Sequence, residues 1–131
     1  MPDWKKKIVD TSAAPAAIGT YSQGVGFNGT YYFSGQIGIN PQTNELPNGF
    51  QPQLNQILAN IDALLQSCGL SRNDIIKTTV YLTDLGDFPA VNAAYESYFT
   101  APYPARVCIE VSGLPKAALV EIEVIAAQPQ S

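Results

Sequence analysis

The sequence predicts an α+β fold: one mixed β-sheet with two helices packed on the same face. Three observations carry this reading. Asn28-Gly29 joins two aromatic-rich, β-favouring runs, residues 21–27 and 30–36. Apolar residues recur at helical spacing from Leu54 to Cys68. Residues 104–126 hold two β-branched runs on either side of Gly113-Leu114-Pro115-Lys116. The order of strands, helix, strand, helix and two strands calls for right-handed crossovers, which put both helices on one side.

In chain order, residues 5–10 alternate enough to form an edge strand, and Lys5-Lys6-Lys7 is read as its solvated basic run. Residues 15–19 form a loop of small side chains. The next two runs pair as a hairpin, because Asn-Gly suits the two positive-φ positions of a type I′ turn. Ser34-Gly35-Gln36-Ile37-Gly38 ends it, with glycines that allow close backbone approach or a bulge. After a polar loop over 40–49, the stripe Leu54, Ile57, Leu58, Ile61, Leu64, Leu65 and Cys68 marks the first helix, with Gly69 as its C-terminal cap. Residues 71–74 turn the chain into a strand over 75–82. Asp87 is placed to cap the second helix, with Pro89 in the first turn and Phe88, Val91, Tyr95, Tyr98 and Phe99 along the inner side. Pro102 and Pro104 end that region.

In the last pair of strands, a period of two puts Val107, Ile109 and Val111 on one face and Arg106, Cys108, Glu110 and Ser112 on the other. Folding back near Leu114 and Pro115 makes the two runs antiparallel neighbours. Cys108 then falls roughly opposite Glu121, and Arg106 opposite Glu123 or one step away. The polar face, with Arg106, Cys108 and Glu121 or Glu123, would be the one the helices leave open, and residues 127–131 are too short and polar to cover it. Such a face predicts self-association as a closed ring.

The 131 residues suit one domain over 1–131. Charged residues make up only 14%, below the roughly 25% usual for soluble domains, which points to surface buried against another chain. The net charge of −4 argues against a nucleic-acid footprint. No stretch reaches the ~20 apolar residues of a membrane helix, and no apolar segment suits a secretory signal. Two cysteines, Cys68 and Cys108, are then expected as free thiols in the cytoplasm. The lack of histidine excludes histidine general bases, histidine triads and the usual zinc motifs. Acidic residues are scattered, so no metal is expected. Gly19, Gly24, Gly26 and Gly29 do not space as a phosphate loop.

Arg106 offers a planar fork of donors that matches a carboxylate, either a ligand's or that of Glu121 or Glu123. Glu121 suits a water-activating group or a structural partner of Arg106 or Lys116, while Glu110 and Glu123 read as structural. Cys108 shares a face with Arg106, yet without a histidine its backbone is a better candidate for ligand contact than its thiol. Tyr21, Ser34 and Asn92 are polar groups at element ends or on a helix. Cys68, on the apolar stripe, reads as packed core.

Several stretches together resemble the RidA family, the YjgF-type 2-iminobutanoate/2-iminopropanoate deaminases. They are Ala17-Ile18-Gly19-Thr20-Tyr21-Ser22-Gln23, Ser34-Gly35-Gln36-Ile37-Gly38, Lys77-Thr78-Thr79-Val80, Asp87-Phe88 with Val91-Asn92 and Tyr95, Pro104-Ala105-Arg106, Leu114-Pro115 and Glu121-Ile122-Glu123. The resemblance spans nearly the whole chain in order; Thr20 stands where the family commonly has proline. It implies a chorismate-mutase-like fold, a homotrimer with clefts between subunits, and cofactor-free hydrolysis of reactive enamines and imines to 2-keto acids and ammonia. By matched position, Arg106 would grip the substrate carboxylate and Glu121 would position or polarise water. Tyr21 and Asn92 would line the cleft, and Ser34, Gly35 and Cys108 would add side-chain or backbone hydrogen bonds. Some family members are described as endoribonucleases or translation inhibitors, and a member that only binds small carboxylates is a third reading.

Overall fold

The structure, a computed structural model, describes residues 5–129. Among them, strands β1 (Lys7–Val9), β2 (Gly24–Phe27) and β3 (Thr30–Phe33) are followed by helix α1 (Phe50–Ser67), β4 (Ile75–Leu82), helix α2 (Phe88–Tyr98), β5 (Ala105–Glu110) and β6 (Val120–Ala127). The six strands form one sheet in the order β1-β2-β3-β6-β4-β5. Only β4 and β5 run parallel, joined by α2; the other pairs are antiparallel. The mixed sheet and its two helices agree with the expectation.

The β2–β3 hairpin forms as its turn chemistry predicts, with Asn28 and Gly29 both at positive φ. It is shorter than the β-favouring runs: β2 begins at Gly24 and β3 ends at Phe33. Gly24 and Gly26 lie beneath the rings of Phe33 and Tyr31, where a Cβ would collide with them. This absence of side chains lets the two rings stack against the core.

Helix α1 buries Leu54, Ile57, Ile61, Leu64 and Leu65 against the sheet, each contributing about 1.5–3 kcal/mol of apolar transfer. Its end is closed as the sequence suggests. Gly69 takes φ 73°, its N–H donates to Gln66 O, and Leu70 N donates to Leu65 O. Cys68 sits half-buried against the same core. Arg72 clamps the outer layer: it pairs with both carboxylate oxygens of Asp62 at 2.8 and 3.1 Å and lies 4.0 Å over the Tyr98 ring, whose hydroxyl also donates to Asp62.

Asp87 occupies the N-cap position of α2 but makes no capping bond; its own backbone is already helical. The capping falls to Asp84, whose carboxylate accepts from Gly86 N at 2.8 Å. The preceding 3-10 turn, Leu85–Asp87, moves the start signal three residues upstream.

The largest departure concerns the last two strands. β5 and β6 are not neighbours, because β4 lies between them and pairs with both. Across β4, Cys108 aligns with Val80 and so with Ile122, while Arg106 aligns with Thr78 and so with Val124. Relative to the pairing read from the sequence this is a shift of one residue, which exchanges the faces of a strand. Arg106 and Cys108 therefore share the helix-covered face with Thr78 and Val80, whereas Glu121 and Glu123 share the open face with Tyr81 and Thr79. Val107 and Ile109, expected to face the core, are 42% and 43% exposed and lie on the open side.

The connection into β6 carries backbone strain. Lys116 and Ala117 both adopt φ 56°, a left-handed conformation that costs an L residue about 1–2 kcal/mol. Ala117 is exposed, so nothing in its packing requires the methyl group. Ala117→Gly is expected to stabilise the fold by about 0.5–1 kcal/mol, the relief of strain exceeding the added chain entropy of glycine. The urea midpoint should rise; an unchanged or lower midpoint would contradict the strain.

Candidate active site

Two clefts hold most of the candidate residues. The first, about 420 Å³, is lined by Asn92, Tyr95, Glu96, Tyr103, Pro104 and Arg106. Arg106 projects from edge strand β5 toward α2, where its Nη1 donates to Asn92 Oδ1 at 2.8 Å. Its guanidinium carbon lies 5.0 Å from the Phe88 ring centre and 5.1 Å from that of Tyr95. The Tyr95 ring is fixed in turn by a 2.7 Å bond from its hydroxyl to Thr78 Oγ1. Among the described residues no carboxylate pairs with Arg106; the ion pair present is Arg72–Asp62. The internal bridge to Glu121 or Glu123 left open by the sequence is thus not made, since both glutamates lie across the sheet. An arginine oriented by an amide and two rings, with donors to spare, is a ready-made carboxylate receptor.

Cys108 lies two residues along the same strand. Val111 N donates to Leu82 O, so backbone groups of Val107 and Ile109 turn toward β4 and those of Arg106 and Cys108 turn to the outer, unpaired edge. The Cys108 thiol packs partly against the core, and burial pushes its pKa up more than Arg106 lowers it. It is protonated at neutral pH and poorly suited to nucleophilic attack, while its outward backbone is free to bind.

The second cleft, about 300 Å³, brings together Ile18, Tyr21, Gly35, Asn44, Lys116 and Glu121. The Glu121 carboxylate makes no hydrogen bond to any described residue. Burial, and then repulsion from Glu123 on the same face, hold its pKa above the ordinary glutamate range. Glu123 differs: it accepts a 2.8 Å bond from the Tyr81 hydroxyl. Gly35 lies against the Glu121 carboxylate so closely that a Cβ there would overlap Oε2. Its glycine identity thus makes room for the acid. Ser34 lines neither cleft, and its hydroxyl donates to Ser22 O at 2.6 Å, which ties the hairpin to the loop bearing Tyr21.

The sequence thus picked out residues that fall into two groups on opposite faces of one sheet, Arg106, Asn92 and Cys108 against Glu121, Gly35 and Tyr21. Two buried amides around the second cleft are not singled out as functional by the sequence. Gln53 donates to Pro47 O and accepts from Leu119 N, joining the loops that bear Asn44 and Lys116. Gln23 ties down the start of the Tyr21 loop. The signal for Gln53 was an amide at the start of an apolar helix stripe. No cluster of three or more His, Cys, Asp or Glu that could hold a metal occurs among the described residues. No helix there is long and apolar enough to cross a membrane.

Comparison with known proteins adds independent findings. A family model described as Endoribonuclease L-PSP matches residues 11–128. A 2-iminobutanoate/2-iminopropanoate deaminase of Escherichia coli K12 is 49% identical over 123 residues, covering 92% of this chain and 96% of that protein. The solved structure of E. coli TdcF with bound serine superposes with a TM-score of 0.89 at 45% identity, over 94% of this chain and 99% of that one. A putative endoribonuclease from Thermotoga maritima gives a TM-score of 0.91 at 39% identity, over 95% and 98%.

Proposed function

The chain belongs to the RidA family, and from that premise we propose that it hydrolyses small 2-imino acids and their enamine tautomers to 2-keto acids and ammonia. The observation that carries this reading is Arg106, held in place by Asn92, Phe88 and Tyr95 yet paired with no carboxylate among the described residues. The substrate class supplies the missing anion. Relatives named as 2-iminobutanoate/2-iminopropanoate deaminases support the choice of reaction.

In one chain Arg106 and Glu121 stand on opposite faces of the sheet, so one substrate touches both only if the two come from neighbouring chains. A homotrimer with clefts between subunits meets this need. The open sheet face, with exposed Tyr32, Val107 and Ile109, supports such an interface. One chain gives Arg106, Asn92 and the outward backbone of Cys108; the next gives Glu121, Gly35 and Tyr21. Ser34 serves from behind, by tethering the Tyr21 loop.

The chemistry fits these groups. The carboxylate of the imino acid docks on Arg106, fixing its C2 atom. Glu121 takes a proton from a water whose oxygen bonds to C2 while the C=N π electrons move to nitrogen. The same carboxyl returns that proton to nitrogen, leaving a carbinolamine. It then takes the proton of the new hydroxyl and passes it to nitrogen as the C–N bond breaks and C2=O forms, so that ammonia leaves the keto acid. A raised pKa suits a carboxyl that must take and give a proton. The imine is already electrophilic, so orientation and charge placement suffice. Two unpaired cysteines agree with a cytoplasmic setting. An endoribonuclease would need a basic footprint, which a chain of net charge −4 lacks. The test is keto-acid release from freshly generated 2-iminopropanoate: a rate well above buffer supports the reading, and a rate equal to buffer contradicts it.

A further inference from the structure

We infer that Gln23 is a positioning residue of this site: its buried amide fixes the loop over residues 16–21, which carries Tyr21 to the cleft. The inference rests on the reading of the Glu121 cleft as catalytic. Gln23 is 3% exposed, and its side chain uses both ends. Oε1 accepts from Thr11 N at 2.8 Å, and Nε2 donates to Thr11 O at 3.0 Å, Ala14 O at 3.4 Å and Pro15 O at 2.8 Å. Its backbone carbonyl accepts from Ser34 N at 2.9 Å, beside the bond from Ser34 Oγ to Ser22 O.

The loop is therefore pinned at both ends around a single residue. Between the pins, residues 16–21 make no hydrogen bond with any described residue, and Gly19 takes φ 140°. The segment still presents two large side chains, Ile18 at 69% and Tyr21 at 52% exposure, both lining the Glu121 cleft. With so little local support, the place of the Tyr21 ring depends on where Pro15 and Ser22 are held. Losing the amide frees the Pro15 end and leaves Tyr21 attached to the sheet on one side only.

Gln23→Met keeps length and burial but removes all four side-chain bonds. Because Arg106 would still hold the carboxylate, kcat should fall on the order of tenfold to a hundredfold with little change in KM. The informative background is Tyr21→Ala. A residue acting through Tyr21 costs little more there, whereas a general loss of structure costs the same factor in both backgrounds. Chymotrypsin cleavage after Tyr21 should quicken in Gln23→Met, a readout independent of turnover. Should the Met variant fail to fold, Gln23→Glu carries the same comparison, its activity relative to wild type at the same pH recovering as the pH is lowered and the carboxyl regains a donor. Equal losses with and without Tyr21, or unchanged kcat and cleavage, would overturn the role of Gln23. Absence of turnover by the wild type would instead overturn the deaminase reading, leaving cleavage at Tyr21 to decide whether Gln23 fixes the loop.

Discussion

Arg106→Ala is expected to abolish most imine hydrolysis while leaving the fold intact. The side chain is exposed on edge strand β5 and bonded to one amide, so its removal takes little from the core. Taking one partner from a desolvated charge pair costs on the order of 2–5 kcal/mol, or about 30-fold to a few thousand-fold in kcat/KM. Arg106→Lys should recover little of it, because an ammonium can neither fork onto a carboxylate nor spread its charge over the Phe88 and Tyr95 rings as the guanidinium does. Steady-state rates on 2-iminopropanoate, with thermal unfolding as the control for folding, give the result. A rate within twofold of wild type would remove the carboxylate-receptor role.

Glu121→Gln should combine loss of activity with gain of stability. Removing a general base or acid costs about a hundredfold or more. Stability responds in the opposite sense. The folded pKa of Glu121 lies above its unfolded value, chiefly through burial and further through Glu123. Between the two values the folded state binds more protons than the unfolded one, so stability falls as pH rises through that window. Above it, the ionised carboxylate opposes folding. Glutamine cannot ionise, so the variant should melt higher than wild type at pH 7 and show little gain near pH 4. Such a trade is usual where a group is kept for activity against the preference of the fold. In the wild type, activity should fall on acidification as Glu121 protonates. A lower melting temperature for Glu121→Gln at neutral pH would contradict this electrostatic picture.

The legible parts of the fold were those settled over short stretches of chain. The α1 stripe, the Gly69 cap and the Asn28-Gly29 turn each depend on neighbours a few residues away, and all form as read. The order of the last strands depends on β4, more than twenty residues before β6, inserting itself between β5 and β6. No turn signal encodes that insertion. The Leu114-Pro115 stretch looks like a hairpin turn but folds as a 3-10 turn with two left-handed residues, carrying the chain past β4. The faces of Arg106 and Cys108 were lost with it, since a shift of one residue inverts a strand. Residue types such as an arginine on a strand and a glutamate in a β-branched run were visible in the sequence; their division between two faces emerged only with the strand order. Gln23 is not legible as a functional residue, because its partners at Thr11, Ala14 and Pro15 lie in a loop without periodicity.

The most direct test of a catalytic centre shared by neighbouring chains is to mix the Arg106→Ala and Glu121→Gln proteins by co-expression or joint refolding and assay the product. Each variant alone should be nearly inactive. Random assembly at equal amounts in a ring gives intact pairs at about a quarter of the sites, so activity should climb toward that fraction of wild type. A mixture that does no better than its two inactive components would contradict the division of Arg106 and Glu121 between two chains.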